Sequence, residues 1–224
     1  MKFTILSAVP NLLESPLNHS ILKRAKDKGI LEIEIIDIHD FGKGKYRQID
    51  DTQYGGGAGM LIKAEPLKKC LTFLEKKQKF DEIIFLTPDG ETFKQSTANN
   101  LSLKENILLV CGHYKGIDER FRQKYITKEI SIGDYVLSGG ELGACIIVDA
   151  VSRLIPGVLN DETSALTDSF QDDLLAPPVY TRPEVWEGMR VPEVLLSGNF
   201  KKIEEWRAEK ALDRTKKRRP DLLG

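Results

Sequence analysis

Apolar positions along this chain recur with two periods, one suited to strands and one to helices. Residues 3–9, FTILSAV, form a mostly apolar run that predicts a buried strand, and residues 31–38, LEIEIIDI, alternate as a second strand does. Between them the pattern predicts a helix over 16–28, stopped by Gly29. Further on, helices are predicted over 64–79 and 92–101, and strands over 83–87 and 107–111, the latter followed by a short helix. The last strand-like run is 129–132. A turn-prone segment, 133–140, leads from it into an apolar helix over 141–155 that Pro156-Gly157 stops.

Strands alternating with helices imply an α/β domain built on a mainly parallel sheet. Three of the strands run into glycine-containing loops, after Leu86, after Cys111 and after Ile132. Ligands of open α/β sheets bind at the carboxyl ends of strands, so these loops could converge on one pocket. An ordinary crossover with a tight turn explains the 133–140 loop equally well at this level. The helix behind it carries Asp149 and Arg153 four residues apart, hence on one face. A polar, glycine-rich loop spans 39–60, and loops of that length inside a compact domain are usually functional.

The pattern changes after residue 159. Residues 160–178 hold five carboxylates, no Lys or Arg, and end in two prolines, so they read as an acidic linker. Residues 179–224 read as a small helical domain. Within it, residues 201–219 contain nine Lys or Arg against four Asp or Glu, with Trp206 among them and Trp186 nearby. A basic stretch with aromatics suits nucleic-acid contact, and a solvated helix face accounts for the same pattern. The domains are therefore expected at 1–159 and 179–224.

Composition narrows the class. The chain of 224 residues is 41% hydrophobic and 30% charged, as soluble globular proteins are. Its net charge of −1 means that any affinity for nucleic acid must come from local patches. Cys70, Cys111 and Cys145 form no CxxC, which points to core packing in a reducing, cytoplasmic setting rather than a disulfide framework or a zinc site. The N-terminal residues show no leader pattern, and no segment reaches membrane-spanning length. Gly55-Gly56-Gly57-Ala58-Gly59 lacks dinucleotide-loop spacing, and Gly42-Lys43-Gly44-Lys45 is not a phosphate loop. Pattern alone yields an α/β enzyme or nucleotide-binding protein, with RNA as a candidate substrate.

Longer strings carry more. PLNHSILKRAKDKG, RQIDDTQYGGGAGM, CGHYKGIDER, EISIGDYVLSGGE, DAVSRLIPGVL, DSF, YTRP, VPEVLLSG and IEEWR follow one another over almost the full length. In these strings the chain resembles the bacterial tRNA (guanine-N1)-methyltransferases, of the knotted SPOUT class. The resemblance implies a deep trefoil knot in the N-terminal domain, against the general rarity of knots. It implies that S-adenosylmethionine lies against Leu86, Thr87, Pro88 and Gly90, then Gly112, then Ser131, Ile132, Gly133, Asp134, Tyr135, Val136, Leu137, Gly139 and Gly140. It also implies an obligate homodimer, an anticodon arm held by the C-terminal domain, and an associated Mg2+ requirement for which the sequence offers no dedicated ligands.

The implied reaction is methylation of N1 of guanosine 37, with guanosine 36 before it. Guanine N1 carries a proton at neutral pH, so a general base is useful, and a cation stabilises the charge that grows on O6. By resemblance the base is Asp168, acting on the partner subunit's cofactor, and the cation is Arg153. Taken alone, Asp168 in Thr167-Asp168-Ser169 reads equally as a helix cap. Three residues depart from the family pattern: Lys115 stands where Glu is usual, Gly143 where Pro is, and Phe200 where His is common. Two other readings remain at this level, a knotted methyltransferase with another RNA target and a non-catalytic RNA-binding module.

Overall fold

The computed structural model describes residues 1–159 and 168–224. The chain divides into two compact units, Met1–Asn160 and Asp161–Gly224. Residues 160–167 of the expected acidic linker lie outside the described residues. The first unit runs β1 (Lys2–Ser7), α1 (Asn11–Leu17), α2 (Ser20–Asp27), β2 (Glu32–Asp37), a 3-10 turn (Ile38–Phe41), β3 (Asp50–Thr52), β4 (Met60–Ile62) and α3 (Ala64–Glu75). It continues with β5 (Glu82–Thr92), α4 (Gln95–Ser102), β6 (Asn106–Cys111), α5 (Glu119–Tyr125), β7 (Lys128–Ser131) and α6 (Glu141–Ser152).

Among the described residues, five strands form one sheet in the order β2-β1-β6-β5-β7, every pair parallel. Strand side chains alternate between faces, and both faces here are apolar, so each must be covered. Phe3, Ile5, Ile84, Leu86, Ile107 and Leu109 pack under Leu13, Leu17, Leu22, Leu101, Ile147 and Val151, which come from α1, α2, α4 and α6. Leu6, Phe85, Leu108 and Val110 pack under Leu67, Leu71, Leu74 and Phe121, from α3 and α5. The result is a three-layer α/β sandwich, as the alternation of periods implies.

Within the first unit the stretches 16–28 and 39–60 differ most from expectation, and the helix expected over 92–101 begins only at Gln95 because β5 runs on to Thr92. The helix expected over 16–28 is two helices, with Pro16 inside α1 rather than opening a helix. The Asn18 side-chain amide donates to the Glu14 carbonyl at 2.6 Å, His19 is extended, and Ser20 takes a φ of 51°. Each short helix thereby turns its own apolar pair inward, Leu13 and Leu17 from the first and Leu22 and Ala25 from the second. The long loop at 39–60 is also more ordered than its composition suggests. Its second half is an antiparallel ladder of β3 and β4, pairing Asp50 with Ile62 and Thr52 with Met60. That hairpin docks on residues 115–118: Ile62 N donates to Gly116 O at 3.0 Å, Lys115 N to Met60 O at 3.0 Å, and Asp118 N to Ile62 O at 2.9 Å.

The second unit contains a short hairpin, β8 (Val185–Trp186) with β9 (Met189–Arg190), then α7 (Glu193–Leu196), α8 (Phe200–Arg218) and a final 3-10 turn (Pro220–Leu223). An all-helical reading misses the hairpin, whose turn residues Glu187 and Gly188 both have positive φ, the geometry that two-residue hairpin loops favour. Asn199 caps α8, its side chain accepting from Lys202 N at 3.2 Å. Thr215 is fully buried on that helix and accepts from Leu175 N at 2.8 Å, which pins the extended chain before the hairpin. No helix among the described residues is long and apolar enough to cross a membrane.

Candidate active site

Strands β6, β5 and β7 are neighbours and run parallel, so their carboxyl ends share one edge of the sheet. The three loops that leave this edge are those flagged by their glycines. The first is an excursion inside β5. Leu86 and Glu91 both register with Ile130 of β7, so residues 87–90 bulge out and the strand then resumes. Gly90 permits the return, since a Cβ there would come 2.5 Å from the Ile130 nitrogen. The bulge is tied down electrostatically. The Thr87 hydroxyl donates to Asp89, and Arg122 Nη2 donates to Asp89 at 2.6 Å and to Glu129 at 2.6 Å. The Thr87 hydroxyl and then the Arg122 guanidinium hold the Asp89 carboxyl below its usual range. Arg122 thus joins α5, the bulge and β7, a link between distant residues that no local motif announces.

The second and third loops cross. Gly140 N donates to Gly112 O at 2.9 Å, and His113 forms a bridge with Gly139. A Cβ on Gly140 would lie 2.9 Å from the Cys111 Cα, so only glycine passes there. Directly after the crossing, Glu141 opens α6 and is buried, accepting a hydrogen bond from the Ser7 hydroxyl at 2.6 Å. This fastens the start of α6 to the end of β1. Burial, and next the Glu141 carboxylate, push the Cys111 thiol well above its ordinary range, which makes it inert packing. Within the third loop the Ser131 hydroxyl donates to Gly133 O at 3.1 Å, and the Tyr135 hydroxyl to Ile132 O at 3.2 Å.

Together the loops enclose a cavity of about 280 Å3. Of the expected cofactor residues, all but Gly90 and Asp134 line it. Gly90 serves the strand return instead, and Asp134 is exposed. The sequence reading omitted Phe85, His113, Tyr114 and Ser138 from the wall, although the 112–116 loop itself was evident. The wall combines apolar side chains with main-chain edges, as suits a flat heterocycle with a polar rim. Lys115 is the one Lys, Arg, Asp or Glu among its described lining residues. A bound nucleoside cofactor therefore fits the chemistry of the wall. No group of three His, Cys, Asp or Glu among the described residues could hold a metal ion.

The two expected catalytic residues fall in different units. Arg153 caps the end of α6 rather than extending it, with its backbone N–H donating to the Asp149 carbonyl at 3.2 Å. Asp168 is exposed and belongs to the second unit.

Residues 1–224 match the family model described as tRNA (Guanine-1)-methyltransferase TrmD. A tRNA (guanine-N(1)-)-methyltransferase of Christiangramia forsetii is 59% identical over 223 residues, covering 100% of this chain and 99% of the relative. One of the same name from Cytophaga hutchinsonii is 60% identical over 222 residues, covering 99% and 94%. Another, from Flavobacterium johnsoniae, is 56% identical over 223 residues, covering 100% and 99%.

Proposed function

Since the chain belongs to the tRNA (guanine-1)-methyltransferase family, we propose that it methylates N1 of guanosine 37 in tRNA, with guanosine 36 before it and S-adenosylmethionine as donor. The observation that carries this reading is the cavity where the ends of β5, β6 and β7 meet. S-adenosylmethionine, when bound there, supplies a methyl group on a sulfonium sulfur. Gly112, Ser131 and Gly139 are among the residues that would hold it, largely through main-chain groups. The deep trefoil knot belongs to the same proposal, supported by the close passage of Gly140 across Cys111 and Gly112.

Asp168 takes the N1 proton of guanine and Arg153 stabilises the charge that develops on O6. The enzyme acts as a homodimer in which Asp168 serves the partner's site. An exposed apolar stripe on α6 supports this: Leu142 and Ile146 lie one turn apart and are 51% and 45% accessible. Exposed cations along α8, among them Lys201, Lys202, Arg207 and Lys217, suit the phosphates of an anticodon arm. Lys216, Lys217 and Arg218, in the last turn of α8, also complement the helix dipole. The reaction would take place in the cytoplasm, where the free thiols Cys70, Cys111 and Cys145 stay reduced.

Purified protein given S-adenosylmethionine and unmodified tRNA is expected to yield 1-methylguanosine at position 37 by mass mapping. A methyl on any other atom or position would sink the proposal. If α8 grips phosphates, tRNA affinity will also fall steeply as salt rises, because the entropy gained by releasing counterions shrinks as bulk salt increases. A flat response between low and moderate salt would leave α8 as a solvated face.

A further inference from the structure

We infer that Lys115 is a specificity-determining residue of the cavity, and that its ammonium pairs with the carboxylate of the cofactor's amino-acid arm. The inference rests on the cofactor reading above. The ligand of that reading carries one carboxylate beside an amine and a sulfonium. Among the described lining residues only Lys115 offers a fixed positive charge to meet it. No ion pair holds that ammonium among the described residues, whereas Lys2, Lys69 and Lys128 of the same unit are paired with glutamates.

Its placement is also constrained. The main-chain N–H of Lys115 is fixed by the Met60 carbonyl at 3.0 Å. The aliphatic stem then lies across Gly59, where a Cβ would come within 2.8 Å of Lys115 Cγ and 3.2 Å of Cε. A lysine stem laid on a backbone surface has already lost much of its rotamer freedom, so an ion pair formed by its head costs less entropy. The tip of the β3–β4 hairpin is therefore the seat of a cavity-wall cation.

The charge has a second consequence. The methyl donor has a positive sulfur, and the demethylated product has a neutral one. A wall cation therefore favours the product more than the donor, since both carry the arm's ammonium and only the donor adds a second like charge on sulfur. Replacing Lys115 should weaken both ligands through the lost carboxylate pair, and should weaken the product more.

Calorimetry on the full chain tests this with S-adenosylmethionine, S-adenosylhomocysteine and methylthioadenosine, which lacks the amino-acid arm. Lys115→Met is expected to raise Kd for S-adenosylmethionine about threefold and for S-adenosylhomocysteine about fivefold, the upper scale of one exposed ion pair. Methylthioadenosine should change by less than about twofold on the same scale, and Lys115→Arg should recover most of the loss. Equal weakening of all three ligands would overturn the inference in favour of a structural role. Unchanged cofactor affinities with weakened tRNA binding would overturn it in favour of a phosphate contact. Wild-type protein that binds none of the three would overturn the cofactor reading itself, a result distinct from either.

Discussion

Asp168→Ala is expected to abolish methyl transfer while leaving the Kd for S-adenosylmethionine nearly unchanged. The first half follows from the chemistry, because an N1 that keeps its proton has no lone pair to offer. Positioned general bases contribute roughly 100- to 10,000-fold, so single-turnover rates with saturating tRNA should fall by about that factor. The second half follows from placement. Asp168 is in the second unit, whereas the described residues that line the cavity all belong to the first. A parallel loss of cofactor affinity would instead identify Asp168 as a structural cap. Mixing separates the subunits: Asp168→Ala and Arg153→Ala chains, each inactive alone, should regain activity when co-refolded. In such a mixed dimer one site draws an intact Arg153 from one subunit and an intact Asp168 from its partner. No recovery would place both residues in the same subunit's site.

The layout of this molecule was readable where one physical signal dominates. Apolar runs such as 107–111, too short for a typical helix, suit strands buried on two faces, and strands separated by amphipathic segments suit parallel stacking. The glycine loops also told their position, because strand ends are where chains turn. What remained hidden depended on contacts between distant residues. Nothing local says that β5 bulges at 87–90 and resumes against Ile130, since the signal is a steric meeting with residues some forty positions away. Arg122 looks like one more surface cation on a short helix until Asp89 and Glu129 are brought to it. Glu141 looks like an ordinary acid in the first turn of a helix, yet it is buried against Ser7 from the other end of the unit. The break at Asn18 and His19 was missed for a different reason. Pro16 suits the first turn of a helix, and the two apolar pairs on either side of the break mimic one continuous stripe.

The glycines of the third loop differ in kind, and this leads to the second large effect. Gly140 has φ −81° and ψ −7°, which any residue can adopt, so alanine there meets no backbone strain of its own. Its cost comes wholly from contact. The added methyl would sit 2.9 Å from the Cys111 Cα and 3.2 Å from the Gly112 nitrogen, and neither can swing aside as a side-chain end can. Relief requires the two loops to separate, which lengthens the hydrogen bond from Gly140 N to Gly112 O and opens the cavity wall. Gly140→Ala should therefore cost about 1–3 kcal/mol or more in urea unfolding, the usual scale of overpacking a tight interior. It should also raise Kd for S-adenosylmethionine at least roughly tenfold, since an ångström-scale shift disarranges the main-chain edges facing the ligand. Gly143→Ala, one turn on, makes the comparison sharp. Its methyl would meet Leu86 Cδ1 at 3.4 Å and Ile132 Cδ1 at 3.5 Å, ordinary packing distances to mobile side-chain ends. Inside α6 the same substitution should be neutral or stabilising by up to about 1 kcal/mol, from helix propensity alone. If Gly140→Ala unfolded at the same urea concentration as Gly143→Ala, the loops would be free to part, and the crossing would not be what shapes the cavity.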